Sequence, residues 1–218
     1  MGDITCADAQ AHPDLVCYYQ IQQSIVRSNS DQVLMLYQRC YKALRLANMA
    51  LEEIPHINMD EKLKSRYLGE LYFIRGFWLF RLGYMFGTAP VVTKTLNVSE
   101  LNIPNSTRIV KKDNSKSVNN YKIEKSDLFD QAEADFLQAL QLGLANRNSG
   151  DMMGRIDNGT VKSYLVQIYL YEHRWEEAKR QLEDIMSYAM SYYRTMPICF
   201  VAYMTIMQNL SSRYNIQH

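Results

Sequence analysis

Residues 70–92 read ELYFIRGFWLFRLGYMFGTAPVV. Up to residue 86 apolar side chains fall on almost every face of a helix, and such a helix is buried on more than one side. The pattern reaches back through Leu71, Tyr67 and Leu63 at three- and four-residue spacing, which predicts one helix over residues 60–86, about 40 Å long. Gly87 suits the left-handed residue after a helix, and Pro90 follows where the helix cannot resume. Arg75 stands among Phe73, Ile74, Phe77 and Trp78. A buried guanidinium is costly alone, so Arg75 either pairs with a carboxylate or backbone carbonyls or reaches past the rings to water. That structural role is read ahead of ligand binding.

Upstream, Val33, Leu36, Cys40, Leu44, Ala47, Leu51 and Ile54 mark one apolar face of a helix that Ser30 or Asp31 can cap and Pro55 ends. Downstream, Val91, Val92 and Thr93 lead away from the core as extended chain. Residues 97–121, rich in Asn, Ser and Lys without a sustained period, read as a long loop. Loops of this length in compact domains are usually functional or disordered. Ser126 opens a helix carrying Leu128, Ala132, Phe136, Leu140 and Leu144, and the glycines from Gly143 to Gly154 break it. Two amphipathic helices follow, one with Val161, Leu165, Ile168 and Tyr169, the next with Trp175, Ala178, Leu182, Ile185 and Ala189. The short link between them predicts an antiparallel hairpin with small Ala178 facing its neighbour. No β pattern of any length is visible. The fold class expected is all-α, a tetratricopeptide-like array of helical hairpins with long loops, without strict 34-residue repetition. Residues 1–190 are expected to form that helical domain and residues 191–218 a divergent tail.

The 218 residues suffice for a sizeable core, and 47% hydrophobic content rules out a disordered chain. With 24 Lys and Arg against 23 Asp and Glu, no bulk field draws nucleic acid or an anionic membrane. Cys6, Cys17, Cys40 and Cys199 contain no CxxC pair, and His12, His56, His173 and His218 belong to no HExxH helix. Phosphate-binding glycine loops and the GxSxG nucleophile elbow are also missing. The reading is therefore no enzyme, no metal and no cofactor. The first residues show no basic and apolar leader and no lipobox before Cys6, and the apolar stretch 196–207 is too short to span a bilayer.

Arg108, Lys111, Lys112 and Lys116 form a basic group without interleaved aromatics, read as a solvated loop because nucleic-acid stacking lacks a platform. The pairs Glu52 with Glu53 and Glu176 with Glu177 are adjacent on helices, point apart and read as solvated faces. Sixteen Tyr and 2 Trp invite either helix packing or stacking on sugar rings. Because Tyr67, Trp78, Tyr164 and Trp175 keep helical spacing, packing is the first reading.

The 70–92 stretch closely resembles the RagB/SusD family of outer-membrane nutrient-uptake lipoproteins, through Glu70, Arg75, Phe80, Leu82, Phe86, Gly87, Pro90 and Val91. Three further segments are similar in the same order: Tyr41, Ala47, Asn48, Leu51 and Ile54; then Asp135, Phe136 and Ala139; then Gly154, Arg155, Leu165, Tyr169, Leu170, Tyr171, Trp175 and Ala178. The resemblance implies a tetratricopeptide-like scaffold that captures a glycan without catalysis and acts with a TonB-dependent (SusC-like) transporter at the cell surface. Gly76 stands where the family usually has Ala, which is expected to loosen the helix, and Val161 where a small residue is usual. Similarity fades after about Tyr188, and the family's large C-terminal portion has no counterpart. The chain is expected to be a truncated member, about half the family's length, with its ligand-binding residues unknown. The alternative from another class is a helical-repeat scaffold that binds a protein and no sugar.

Overall fold

The computed structural model describes Tyr19, Gln20 and Gln23 together with residues 30–112 and 121–189. Cys6, Cys17, Cys199, His12, His218, Lys116, residues 196–207 and the tail at 191–218 lie outside the described residues. Within them the chain is mostly helical: α1 (Asp31–Glu53), α2 (Glu61–Phe86), α3 (Asp127–Gln141), α4 (Asn158–Tyr171) and α5 (Trp175–Ala189). The helix ends follow local chemistry. Asp60 caps α2 by accepting the Leu63 N–H at 2.9 Å, Ser126 caps α3 through Phe129, and Asp157 caps α4 through Thr160. Gly87 ends α2 at φ +79°, where a side chain would be strained and would also meet the Arg108 guanidinium 2.8 Å away. No helix among the described residues is long and apolar enough to cross a membrane.

α2 is the central element, because its apolar residues are covered on several sides. Leu79, Phe80 and Leu82 are buried with Cys40 and Leu44 of α1, Phe129 and Phe136 of α3, and Leu165 and Ile168 of α4. Along one face Gly69, Gly76 and Gly83 recur every seven residues. They face Leu144 and Ala139, Phe136 and Ala132, and Phe129 and Leu128 in turn. The partner numbers fall as those of α2 rise, so α2 and α3 are antiparallel. At Gly76, where glycine stands in place of the family's usual Ala, a Cβ would stand 2.9 Å from the Phe136 ring and 3.1 Å from the Ala132 carbonyl oxygen. The absent side chain lets α3 lie close, and Phe136 fills the space.

Aromatic packing accounts for most of the rings singled out from the sequence. The Tyr164 ring of α4 lies 5.3 to 6.0 Å from Phe73, Phe77, Phe80 and Phe136. Trp78 meets Phe77 edge-on at 5.1 Å, Trp175 stacks on His173 at 4.8 Å, and Tyr67 lies under the Arg155 guanidinium at 5.4 Å. Ala178, fully buried, sits at the α4–α5 hairpin as its size requires.

One reading of the connection after α2 is corrected. Residues 97–121 are not all loop: Arg108–Lys112 (β1) pairs antiparallel with Tyr121–Ser126 (β2), with an irregular register between Ile109 and Val110. The ribbon escaped detection because only Ile123 and Ser126 of β2 are buried, so the strands carry no apolar alternation. Arg108, Lys111 and Lys112 are thus strand residues. Lys111 bonds Glu124 at 2.6 Å, and Arg108 turns inward to donate to the Gly83 carbonyl at 3.2 Å. From Val91 to Thr93 the chain passes from half-buried to exposed, as expected, while the carbonyls of Val92 and Thr93 stay bonded to Asn48 and Arg75.

Candidate functional site

Four buried or half-buried polar side chains hold the segment after α2. Arg75 donates through Nε and Nη2 to both carboxylate oxygens of Asp135 at 2.8 and 2.7 Å. Its Nη1 reaches the Thr93 carbonyl at 2.9 Å and the Asn48 Oδ1 at 3.4 Å. Asn48 donates to the carbonyls of Val92 and Lys94, each at 3.2 Å, and Tyr41 donates to that of Pro90 at 2.8 Å. Burial pushes the Tyr41 hydroxyl well above its ordinary titration range, so it remains a donor. α1, α2 and α3 are thereby joined to one strip of backbone, whose carbonyls receive partners that helix geometry alone does not provide. Asp135 is 2% exposed, and the fork of Arg75 satisfies both its oxygens. Arg75 thus takes the paired of its two expected roles.

Outside this clamp, exposed carboxylates hold the backbone further on. Glu52 accepts the Thr95 N–H at 2.7 Å, Glu100 accepts that of Asn97 at 3.0 Å, and Asp127 accepts that of Thr107 at 2.6 Å. In each case the backbone N–H is the largest cause that keeps the carboxyl below its ordinary range. Glu52 is therefore more than the solvated residue expected of it, and so is Glu177, which pairs with Arg174 at 3.2 Å. Ala89 and Ser106 are tied by two hydrogen bonds as well. The Ser106 N–H donates to the Ala89 carbonyl at 3.1 Å, and the Ala89 N–H donates to the Ser106 hydroxyl at 3.2 Å.

These ties shape a cleft of about 510 Å3 between the 103–106 loop and the first turns of α3. Val91, Ile103 and Pro104 form apolar walls, while Asn105, Ser106, Asp127, Asp130 and Gln131 supply polar groups. Gln131 donates to Asp135 at 3.2 Å, which connects the cleft to the buried clamp. Burial first, then the charge of Asp127, raises the Asp130 carboxyl. None of the residues weighed from the sequence as ligand contacts lines this cleft, because its polar groups come from a loop and a helix start without a motif. Among the described residues no group of three His, Cys, Asp or Glu side chains could hold a metal ion.

The fold and the clamp together define a class, an antiparallel helical array of tetratricopeptide type that holds structured loops at one side. A family model described as starch-binding proteins associating with the outer membrane, SusD-like, matches residues 4–170. The chain belongs to this SusD-like family. A SusD superfamily protein from Bacteroides vulgatus is 26% identical, with a TM-score of 0.59 over 80% of this chain and 34% of its own. A laminarin-binding SusD-like protein is 22% identical, with a TM-score of 0.61 over 81% and 34%. A SusD-like protein from Bacteroides fragilis is 19% identical, with a TM-score of 0.63 over 78% and 30%. The last two likenesses concern the fold. No curated protein matches the chain. The chain spans about a third of the length of these solved structures.

Proposed function

We propose that this chain is the helical part of a non-catalytic glycan-binding protein at the surface of the outer membrane, serving a TonB-dependent transporter of the SusC type. The family match over residues 4–170 carries this reading. The architecture supports it, since a rigid helical frame with bonded loops presents binding groups without a large ordering cost. The chain is read as a portion of such a protein, in keeping with its share of the solved relatives' lengths. Residues 1–190 would form the helical domain and 191–218 a separate tail. Affinity gels containing neutral and acidic polysaccharides should retard the full chain with at least one of them, and saturable binding should follow in calorimetry. Unchanged mobility with every polysaccharide would sink the reading. A protein-binding scaffold draws on the exposed apolar Val98, Leu101 and Met153. It would show itself as a co-purifying protein together with the absence of glycan retardation.

A further inference from the structure

We propose that the cleft between the 103–106 loop and the start of α3 binds an uncharged sugar unit through its hydroxyl groups, with Asp130 and Asn105 as the principal hydrogen-bonding residues. The proposal rests on the glycan-binding reading and adds to it a place and a chemical class. The volume of about 510 Å3 is of the size of small-ligand sites, roughly 300–1,000 Å3, in a groove that lies open to solvent.

Its polar groups divide into those that build the walls and those left over. Asp127 is engaged by the Thr107 N–H and by Lys125 at 3.5 Å, Ser106 by Ala89, and Gln131 by Asp135. Among the described residues the exposed Asp130 carboxylate and Asn105 amide hydrogen-bond no other side chain or backbone group, and the positive charges that act on Asp130 from nearby are those of Lys125 and Arg174, so the carboxylate and the amide are open to a ligand. A carboxylate accepts from two neighbouring hydroxyls at once, and an amide both donates and accepts, a combination that suits a polyol. Val91, Ile103 and Pro104 offer apolar surface to the C–H faces of the same ring.

Charge decides the class. The lining itself carries two carboxylates and no Lys or Arg. Lys125, 3.5 Å from Asp127, and Arg174 offset part of that charge from outside the lining, and what remains disfavours uronates and sulfated sugars relative to neutral ones. The bonded walls keep the groups in place before any ligand arrives, so little loop ordering is needed on binding.

The test uses the full chain with laminarin and amylopectin as neutral probes and polygalacturonate as the acidic one, read by calorimetry. At least one neutral polysaccharide should bind saturably and polygalacturonate should not. Asp130→Ala and Asn105→Ala should each raise Kd at least tenfold while the thermal midpoint stays within two degrees of wild type. Wild-type affinity in both variants, or equal binding of polygalacturonate, overturns the cleft assignment and leaves glycan binding standing. Absence of binding to every probe by the wild type overturns both.

Discussion

Arg75 illustrates how one residue can hold several elements, because its guanidinium ends on a carboxylate from α3, an amide from α1 and a carbonyl beyond α2. Removing one partner strands the other charge in a low-dielectric interior, which costs about 3–5 kcal/mol. Arg75→Met and Asp135→Leu are each expected to lose about that much in urea unfolding. The double variant should lose less than their sum, because neither charge then remains. Strict additivity would show that the two do not interact. Charge state matters at the exposed carboxylates too. Glu52, Glu100 and Asp127 are held below their ordinary range when folded, so their contribution is present above that range and is lost as pH falls through the folded values. Below about pH 4 the amides of Thr95, Asn97 and Thr107 should exchange with solvent hydrogen faster, measured by NMR. Exchange that is indifferent to pH after correction for intrinsic rates would contradict this. Asp130 and Glu172 run the other way: their carboxyls are raised, chiefly by burial, so protonation just above the ordinary range relieves a cost of folding.

The helix pair α2–α3 depends on glycine spacing more than on propensity. At Gly83 a methyl group would stand 2.8 Å from the Phe129 ring and 3.2 Å from the Leu128 Cβ, so the Phe129 ring or the helices must shift. Overpacking costs about 1–3 kcal/mol, and the better helix propensity of Ala returns up to about 1 kcal/mol. Gly83→Ala should therefore destabilise by about 1 kcal/mol, and a rise in the urea midpoint would refute the close approach. The β ribbon stands at the other extreme. Two strands with one buried apolar residue between them, Ile123, are marginal by themselves. Their position depends on the Asp127 N–H, which donates to the Thr107 carbonyl at 3.1 Å, and on the inward Arg108.

Across the whole molecule, α1 to α5 share one continuous core, in which residues of α1 and α4 meet through α2 and α3. A single core predicts one cooperative transition. Trp78 on α2 and Trp175 on α5 should report the same urea midpoint, compared in the single-tryptophan variants Trp78→Phe and Trp175→Phe. Separate midpoints would mean that the α4–α5 hairpin unfolds independently. At this scale exposed apolar residues also acquire meaning. Val98 at 87% and Met153 at 72% exposure stand out on a chain that spans about a third of its solved relatives.

The Asp60 and Asp157 caps were not read and Ser30 makes no cap bond, whereas periodicity in the sequence determined the helices and their order, because an apolar face is a local property. The 60–86 helix, the Ser126 start and the α4–α5 hairpin were readable for that reason, and so was the need of Arg75 for a partner. Which partner it would take was not readable, since Asp135 lies 60 positions away and becomes a neighbour only when α3 packs against α2. The ribbon, the bonded backbone at 90–95 and the cleft were hidden for the same physical reason. Their groups come from separate segments, carry no period of their own, and meet only in the packed structure.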